Sequence, residues 1–192
     1  MKNSRSPWVD ICAKSVHIAC MSSALPPKPR VIGSKSIRVC IVASKYNEQF
    51  TDALVSNALE ELNELIPQAR IDLIRVPGAF EIPAAVAFVM ERDAPACVIA
   101  LGLIIRGTTQ HGDLVARAVT DGLMQLSLKW QRPVIHEVVI VDDKKQAYAR
   151  CIGENLNRGK EAARAAATMV DIFLELDRSM PHNSTRLHTR NG

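Results

Sequence analysis

A run of residues suited to acid–base and anion chemistry occupies positions 104–113, IIRGTTQHGD. The apolar run Cys97–Ile105 ends there, and two threonines and His111 precede a long helical pattern. A buried strand that ends in a polar turn and opens a helix favours an anion site, because free N–H groups of the helix start point at the ligand. His111 can also transfer protons near neutral pH. The alternative is an ordinary turn with Thr109 as N-cap and a solvated His111.

Two further polar turns follow predicted strands. The β-branched run Ile37–Ala43 ends near residues 45–47, KYN, and the run Ile71–Val76 ends at residues 77–81, PGAFE. Ligands of parallel α/β sheets bind outside the carboxyl ends of the strands. We therefore expect these two turns and residues 106–111 to converge on one rim and form a binding site.

The order of the predicted elements is typical of an α/β fold. Strands are predicted at Ile37–Ala43, Ile71–Val76, Cys97–Ile105 and Pro133–Val141. Helices are predicted from a cap at Asn47 or Thr51 to just before Pro67, at about Ile82–Glu91, from just after His111 to Trp130, and at about Lys144–Glu154 and Arg158–Leu176. This alternation indicates a four-stranded parallel sheet with helices on both faces, a three-layer α-β-α sandwich.

Charge is distributed unevenly along the chain. Residues 1–36 carry six Lys or Arg and one acid, and residues 178–192 carry three Arg and no acid. We predict a basic, largely flexible N-terminal arm at 1–36, an α/β domain at 37–177 and a flexible C-terminal tail at 178–192. The domain itself carries more acidic than basic side chains, which disfavours nucleic acid as a partner.

The cysteine pattern and the apolar runs bear on the compartment. The five cysteines show no CxxC spacing, and an odd number predicts reduced thiols in a cytoplasmic protein rather than a disulfide framework or a zinc site. No apolar run reaches about 18 residues, so no membrane span is expected. The first residues lack the apolar core of a secretory signal, whereas an organelle transit peptide stays open.

Three motifs follow one another in the chain: VPGAFEIP at 76–83, ALG at 100–102 and IRGTTQH at 105–111. Together they resemble the 6,7-dimethyl-8-ribityllumazine synthase family, whose element order and spacing match from about Ile37 to Leu176. The resemblance implies a flavodoxin-like sheet and a step of riboflavin biosynthesis. In that step 5-amino-6-(D-ribitylamino)uracil condenses with 3,4-dihydroxy-2-butanone 4-phosphate, through an imine, to give the lumazine, phosphate and water. It implies neither a metal nor a redox cofactor.

The resemblance also implies roles for individual residues. His111 matches the catalytic histidine that moves protons during imine formation and phosphate loss. The phosphate-binding positions are Thr108, Thr109, Arg150 and Arg158. The substrate-binding positions are Tyr46, Asn47, Gly78, Ala79, Phe80, Glu81, Leu103, Ile104, Ile105 and His136. Tyr46 is expected to stack on the pyrimidine, whereas a buried Phe80 would favour packing, and a solvated helix face is the alternative for both arginines.

Three departures from the family pattern concern the same site. Gly112 stands where an aromatic residue is usual, and Glu154 stands where a lysine is frequent. His136 and Glu137 replace a common Phe-Gly pair, whose phenylalanine covers the pyrimidine of the neighbouring subunit. His136 can stack in the same way or can simply be held in a subunit interface. A negative charge at Glu154 would weaken phosphate binding if it faced the site.

Two other functions stay open from the sequence alone. One is a catalytically weak paralogue that binds lumazine or flavin, and the other, suggested by the basic ends, is a structural or nucleic-acid-binding shell protein. The family's sites lie between subunits. The resemblance therefore implies small-molecule substrates and a homo-oligomer of pentamers, single, paired or in sixty-subunit shells, without nucleic acid or membrane partners.

Overall fold

The computed structural model describes residues 24–34 and 36–180. Its strands are β1 (Arg38–Ser44), β2 (Arg70–Val76), β3 (Cys97–Ile105) and β4 (Val134–Val141). Its helices are α1 (Glu48–Leu65), α2 (Ile82–Asp93), α3 (His111–Trp130), α4 (Lys144–Cys151) and α5 (Arg158–Ser179). The predicted α/β class, with a parallel sheet between helices, is confirmed.

The four strands form one parallel sheet in the order β2-β1-β3-β4. β3 lies inside the sheet, and its first seven residues are buried, as a continuous apolar run predicts. β4 pairs only with β3 and forms one edge. Chain order therefore reverses between β1 and β3, and a crevice opens beside the carboxyl ends of these strands.

Alternate residues of the strands pack into two separate apolar cores. Ile41 and Ile99 belong to the core that includes α1 and α5, whereas Val42 and Ala100 belong to the core that includes α2 and α3. This period of two is what a sheet covered on both faces requires. Within the described residues, no helix is long and apolar enough to cross a bilayer.

Helix α5 packs closely on α1 because Gly159 has no side chain. A Cβ atom at this position would lie 2.4 Å from the carbonyl oxygen of Leu54. The contact surface of α5 continues with four buried alanines, Ala162, Ala163, Ala166 and Ala167. Small residues at this interface fix the position of the α5 N-terminus, which carries Arg158.

Two predicted helix ends differ from the structure by three residues. α4 ends at Cys151 rather than Glu154, because the backbone N–H of Gly153 turns back to the carbonyl oxygen of Tyr148. α5 continues past Leu176 through Arg178, the predicted first residue of the tail, and ends at Ser179.

Residues 24–34 of the predicted arm make specific contacts with the domain. The backbone N–H of Ile32 donates to the carbonyl oxygen of Leu65 at 2.8 Å, and the side chain of Ile32 is buried. Arg30 forms an ion pair with Asp171 of α5, and Arg164 donates to the carbonyl oxygen of Pro26. The rest of the predicted arm, and the predicted tail from residue 181, lie outside the described residues.

Candidate active site

A cavity of about 350 Å³ opens at the carboxyl ends of β1, β2 and β3. Most of the predicted site residues line it: Tyr46, Asn47, Gly78, Ala79, Phe80, Glu81, Leu103, Ile104, Ile105, Thr109 and His111. The three turns singled out in the sequence thus meet at one rim, as the parallel topology requires.

The turn after β1 is bonded to the turn after β2 and to the last part of β3. The backbone N–H of Tyr46 donates to the carbonyl oxygen of Pro77 at 3.0 Å. The side-chain amide of Asn47 donates to the carbonyl oxygen of Leu103, also at 3.0 Å. Asn47 occupies the N-cap position of α1 with a φ of 61°, and its side chain makes no capping hydrogen bond. Its side chain therefore joins two strand ends instead of capping a helix.

The turn after β2 holds a carboxylate at the cavity wall. The backbone N–H of Gly78 donates to Oε2 of Glu81 at 2.8 Å, and a Cβ at Gly78 would lie 3.0 Å from the same oxygen. Phe80 is 61% exposed and Tyr46 is 73% exposed. A buried Phe80 would have favoured a packing role. The ring is exposed instead and lines the cavity.

The turn after β3 leaves backbone donors free at the start of a long helix. α3 begins at His111 with Gln110 at the N-cap, so Thr109 is not the cap residue. The backbone N–H groups of Thr108, Thr109 and His111 have no acceptor within the described part of the chain. Free N–H groups and the positive end of the α3 dipole together make this turn suitable for an anion.

Arg106 fixes the position of this turn. Its Nε donates to Asp113 in the first turn of α3 at 3.0 Å, and its Nη1 donates to Asp142 after β4 at 2.8 Å. These two carboxylates raise the pKa of Arg106, whose guanidinium in turn lowers the pKa of Asp142. No local pattern in the sequence indicates this role of Arg106, because Asp113 and Asp142 lie 7 and 36 residues from it along the chain.

His111 lies where two cavities adjoin. It lines the cavity described above and a second one of about 490 Å³, whose other lining residues include Leu114 and Ala118 of α3. The residue is exposed, and its ring has no hydrogen-bond partner among the described residues. The imidazole is thus accessible to a ligand and free to exchange protons with it.

Three residues that were not predicted also line the cavity, namely Gly107, Gly112 and Val115. Helical spacing from His111 places residue 115 on the same face, so this signal was present in the sequence. A Cβ at Gly112 would lie 3.4 Å from Cγ2 of Ile104, an ordinary contact distance. Gly112 therefore widens the cavity without being required by the backbone.

Four predicted residues do not line this cavity. Thr108 belongs to the turn beside it, whereas His136, Arg150 and Arg158 lie on β4, α4 and α5. Arg150 makes no hydrogen bond or ion pair with the described residues, although its charge helps to lower the pKa of Asp142, for which Arg106 is the main cause. Glu154 is exposed and likewise has no partner among them.

His136 is bonded to α3. Its Nε2 lies 2.9 Å from Oγ1 of Thr120, and that hydroxyl donates to the carbonyl oxygen of Ala116 at 2.8 Å. The hydroxyl has one proton, so both contacts are satisfied when His136 donates from Nε2. In the neutral ring, Nδ1 is then left as an acceptor.

The described residues contain no cluster of three or more His, Cys, Asp or Glu able to hold a metal ion. Cys40, Cys97 and Cys151 are free and buried, and burial raises the pKa of Cys40 to about 11 and that of Cys151 to about 12. These thiols are inert core residues at neutral pH. Cys12 and Cys20 lie outside the described residues.

Comparison with known proteins gives a consistent match. A family model described as 6,7-dimethyl-8-ribityllumazine synthase matches residues 36–173. A 6,7-dimethyl-8-ribityllumazine synthase of Stenotrophomonas maltophilia (strain R551-3) is 39% identical over 143 residues, which are 74% of this chain and 92% of that protein. The enzyme of that name from Xanthomonas campestris pv. campestris (strain B100) is 41% identical over 137 residues, 71% and 89% of the two chains.

Among solved structures, a GDP-L-fucose synthetase from Naegleria fowleri bound to NADP aligns with a TM-score of 0.37 at 11% identity. The alignment covers 81% of this chain and 48% of that one. This likeness is too low to carry an argument.

Proposed function

Because the chain belongs to the 6,7-dimethyl-8-ribityllumazine synthase family, a family of transferases in riboflavin biosynthesis, we propose that it forms the lumazine in the cavity at the ends of β1, β2 and β3. The amine of 5-amino-6-(D-ribitylamino)uracil attacks the ketone of 3,4-dihydroxy-2-butanone 4-phosphate and water leaves. Phosphate is then eliminated, and the ring closes when the ribityl-bearing amine attacks the remaining carbonyl group and a second water leaves. Several proton transfers accompany these steps, and the protein contributes positioning and proton transfer.

His111 is the proposed proton carrier. Its place in the cavity and its unbonded ring support this role, because a general acid–base group needs access to the reacting atoms. A neutral imidazole accepts a proton from one group and returns it to another, which suits consecutive imine formation and elimination.

The turn at Thr108 and Thr109 is the proposed phosphate site. Free backbone N–H groups at the start of α3 support it, since such groups bind oxyanions directly. We assign Arg150 and Arg158 to the same phosphate. Arg150 carries an unpaired guanidinium among the described residues, and its planar fork matches a phosphate.

The ring and ribityl chain of the uracil are assigned to the opposite side of the cavity. The exposed ring of Tyr46 offers a stacking surface, and Phe80 offers a second apolar ring beside it. The carboxylate of Glu81, held by Gly78, can accept hydrogen bonds from hydroxyl or ring N–H groups. Backbone groups of Ile104 and Ile105 complete this wall.

A homo-oligomer with sites between subunits is part of the proposal. His136, Arg150 and Arg158 do not reach the cavity of their own chain, which is expected if they serve a neighbouring copy. The solvent-facing surfaces of α2 and α3 carry Phe88, Leu114, Met124 and Leu128, each more than half exposed. Exposed apolar side chains of this kind are typical of surfaces that bind another protein. We propose rings of five, and a cytoplasmic location that the free buried cysteines favour.

The first experiment mixes the purified full chain with both substrates and follows lumazine absorbance and phosphate release. We expect stoichiometric release of phosphate, and His111→Ala should lose most of the turnover while assembling normally. Ligand binding without phosphate release would instead indicate a binding protein.

Subunit sharing has its own test. When His111→Ala and Arg150→Ala chains are unfolded together and refolded, about a quarter of shared sites should combine both native residues. The assay uses a phosphate-substrate concentration at which neither variant alone turns over measurably. Partial recovery of activity is expected. No recovery, in oligomers shown by mass to be mixed, would place both residues in the site of one chain.

A further inference from the structure

Glu137 is a largely buried carboxyl group on β4 that none of the proposed roles uses. It pairs in register with Leu101 of β3, on the face covered by α1 and α5, and only 16% of its side chain is exposed. A carboxylate on the face of a sheet loses hydration and needs a compensating partner.

The partner of Glu137 is Arg158 in the first turn of α5. The Nε atom of Arg158 lies 3.7 Å from Oε1 of Glu137. The Nη1 atom of the same guanidinium donates to Oε2 of Glu161 at 2.7 Å. One positive charge therefore stands between two carboxyl groups, in a cluster whose side chains are 16–30% exposed.

The charge of this cluster depends on Glu137. With both carboxylates ionised, the cluster carries one net negative charge and repels an incoming phosphate. With Glu137 protonated, the cluster is neutral. One N–H group of the Arg158 guanidinium can then donate to a phosphate while another still donates to Glu161. In a partly buried site, charges a few ångströms apart interact more strongly than in water.

Burial raises the pKa of Glu137 to about 7, against the opposing effect of Arg158, and the negative charge of Glu161 adds to the rise. The other titratable group near it is the thiol of Cys151 on α4, which is neutral because burial raises its own pKa to about 12. On the α3 side, His136 is bonded to Thr120 and lies on the opposite face of β4. On the face covered by α1 and α5, Glu137 therefore exchanges a proton near neutral pH.

We propose that Glu137 controls the phosphate affinity of Arg158: ionised Glu137 holds and neutralises the guanidinium, and protonated Glu137 releases it to the phosphate of the substrate. This inference rests on the proposed assignment of Arg158 to that phosphate. Glu137 is a positioning residue and touches no substrate.

The mechanism requires proton uptake when phosphate binds. A bound phosphate brings negative charge to Arg158 and competes with Glu137 for it, so the carboxylate takes a proton from solvent. By linkage, the affinity for phosphate then rises as pH falls through neutrality, until Glu137 is protonated in the free protein too.

The test compares the full chain with Glu137→Gln, which has the same shape and no charge to titrate. Inorganic phosphate is the probe, measured by titration calorimetry in buffers of different ionisation enthalpy, from about pH 6 to pH 8.5. The KM for the phosphate substrate is measured over the same range. Glu91→Gln on α2, an exposed position with no partner in the described chain, makes the same charge change elsewhere.

The wild-type protein should take up more protons per bound phosphate than Glu137→Gln, most strongly near neutral pH. The Gln variant should bind phosphate about as well as wild type at low pH and up to about tenfold more tightly at high pH, for a shift of one pKa unit. The second ionisation of the phosphate itself affects all proteins alike and cancels in the comparison. The KM for the uracil should not follow this pattern.

Equal pH profiles for wild type and Glu137→Gln, or equal proton uptake, would overturn the inference and leave the proposed reaction untouched. An unchanged phosphate KM in Arg158→Ala would overturn the assignment of Arg158 and this inference together. Failure of the wild type to release phosphate from the substrates would instead contradict the proposed function. If Glu137→Gln fails to fold, Glu137→Met replaces it as the reference protein. More protons taken up per bound phosphate by the wild type than by Glu137→Met would support the inference, and equal uptake would overturn it.

Discussion

The side-chain amide of Asn47 donates a hydrogen bond to the carbonyl oxygen of Leu103 at 3.0 Å, and so ties the end of β1 to the end of β3. Asn47 reaches this carbonyl because its backbone adopts the left-handed region, with φ of 61° and ψ of 44°. Asparagine tolerates this conformation better than most residues. Two walls of the cavity are thus held together by one residue that also lines it.

Replacing Asn47 by alanine should destabilise the protein by roughly 1–3 kcal/mol, because it removes the hydrogen bond and because alanine tolerates the left-handed conformation less well than asparagine. Asn47→Gly keeps the conformation and loses only the hydrogen bond, so it should cost less. Both variants should raise the KM for the uracil. Urea unfolding and steady-state kinetics measure these effects, and a glycine variant as stable as wild type would mean that the bond contributes nothing.

Much of the site could be predicted from the sequence because strand ends of a parallel sheet share one edge. The bounds of β3, Cys97–Ile105, agree with the prediction, since an apolar run ends sharply there. α3 ends at Trp130 as predicted but begins at His111 itself rather than after it. The fold and the family were predicted correctly on the same residues.

The rest of the site depends on distances between segments that are far apart in the chain. No local pattern shows that Arg106 bridges Asp113 and Asp142, or that Glu81 folds back onto the backbone of Gly78. A single sequence also does not show which of the predicted site residues line the cavity of their own chain. Arg150 illustrates this, since its helix was predicted and its absence from the cavity lining was not.

Gly112→Ala should stabilise the protein by about 0.5–1 kcal/mol, because glycine in a helix costs conformational entropy. The added Cβ meets Ile104 at an ordinary contact distance, so activity should be retained. Gly159→Ala is the matched control, because its Cβ would lie 2.4 Å from the carbonyl oxygen of Leu54 and must push α5 away from α1. Thermal unfolding should move in opposite directions for the two variants. A destabilised Gly112→Ala would show that the turn requires glycine.

Arg150→Ala should raise the KM for the phosphate substrate by about 10–100-fold, the amount expected for a lost charge-assisted hydrogen bond. The KM for the uracil should change much less. Arg150→Lys keeps the charge and loses the planar guanidinium, so its KM for the phosphate substrate should lie between those of wild type and Arg150→Ala. Arg178→Ala removes an equal charge near the end of α5 and serves as the control. Equal effects of Arg150→Ala on both substrates would contradict its assignment to phosphate.

Glu137 should make the free energy of unfolding depend on pH with an unusual sign for a carboxyl group. Its pKa rises from 4.5 to about 7 on folding, mainly through burial, so the native state binds the proton more tightly than the unfolded chain. Stability from this group is therefore present in full below pH 4.5 and is lost as pH rises to about 7. The loss amounts to roughly 3 kcal/mol at most, because each pKa unit corresponds to about 1.4 kcal/mol. Glu137→Gln should unfold at similar urea concentrations to wild type in acid and at higher ones in mild alkali, at equal protein concentration. Parallel stability curves for the two proteins would show that Glu137 is hydrated and ionised in the native state, and that Arg158 is permanently paired with it.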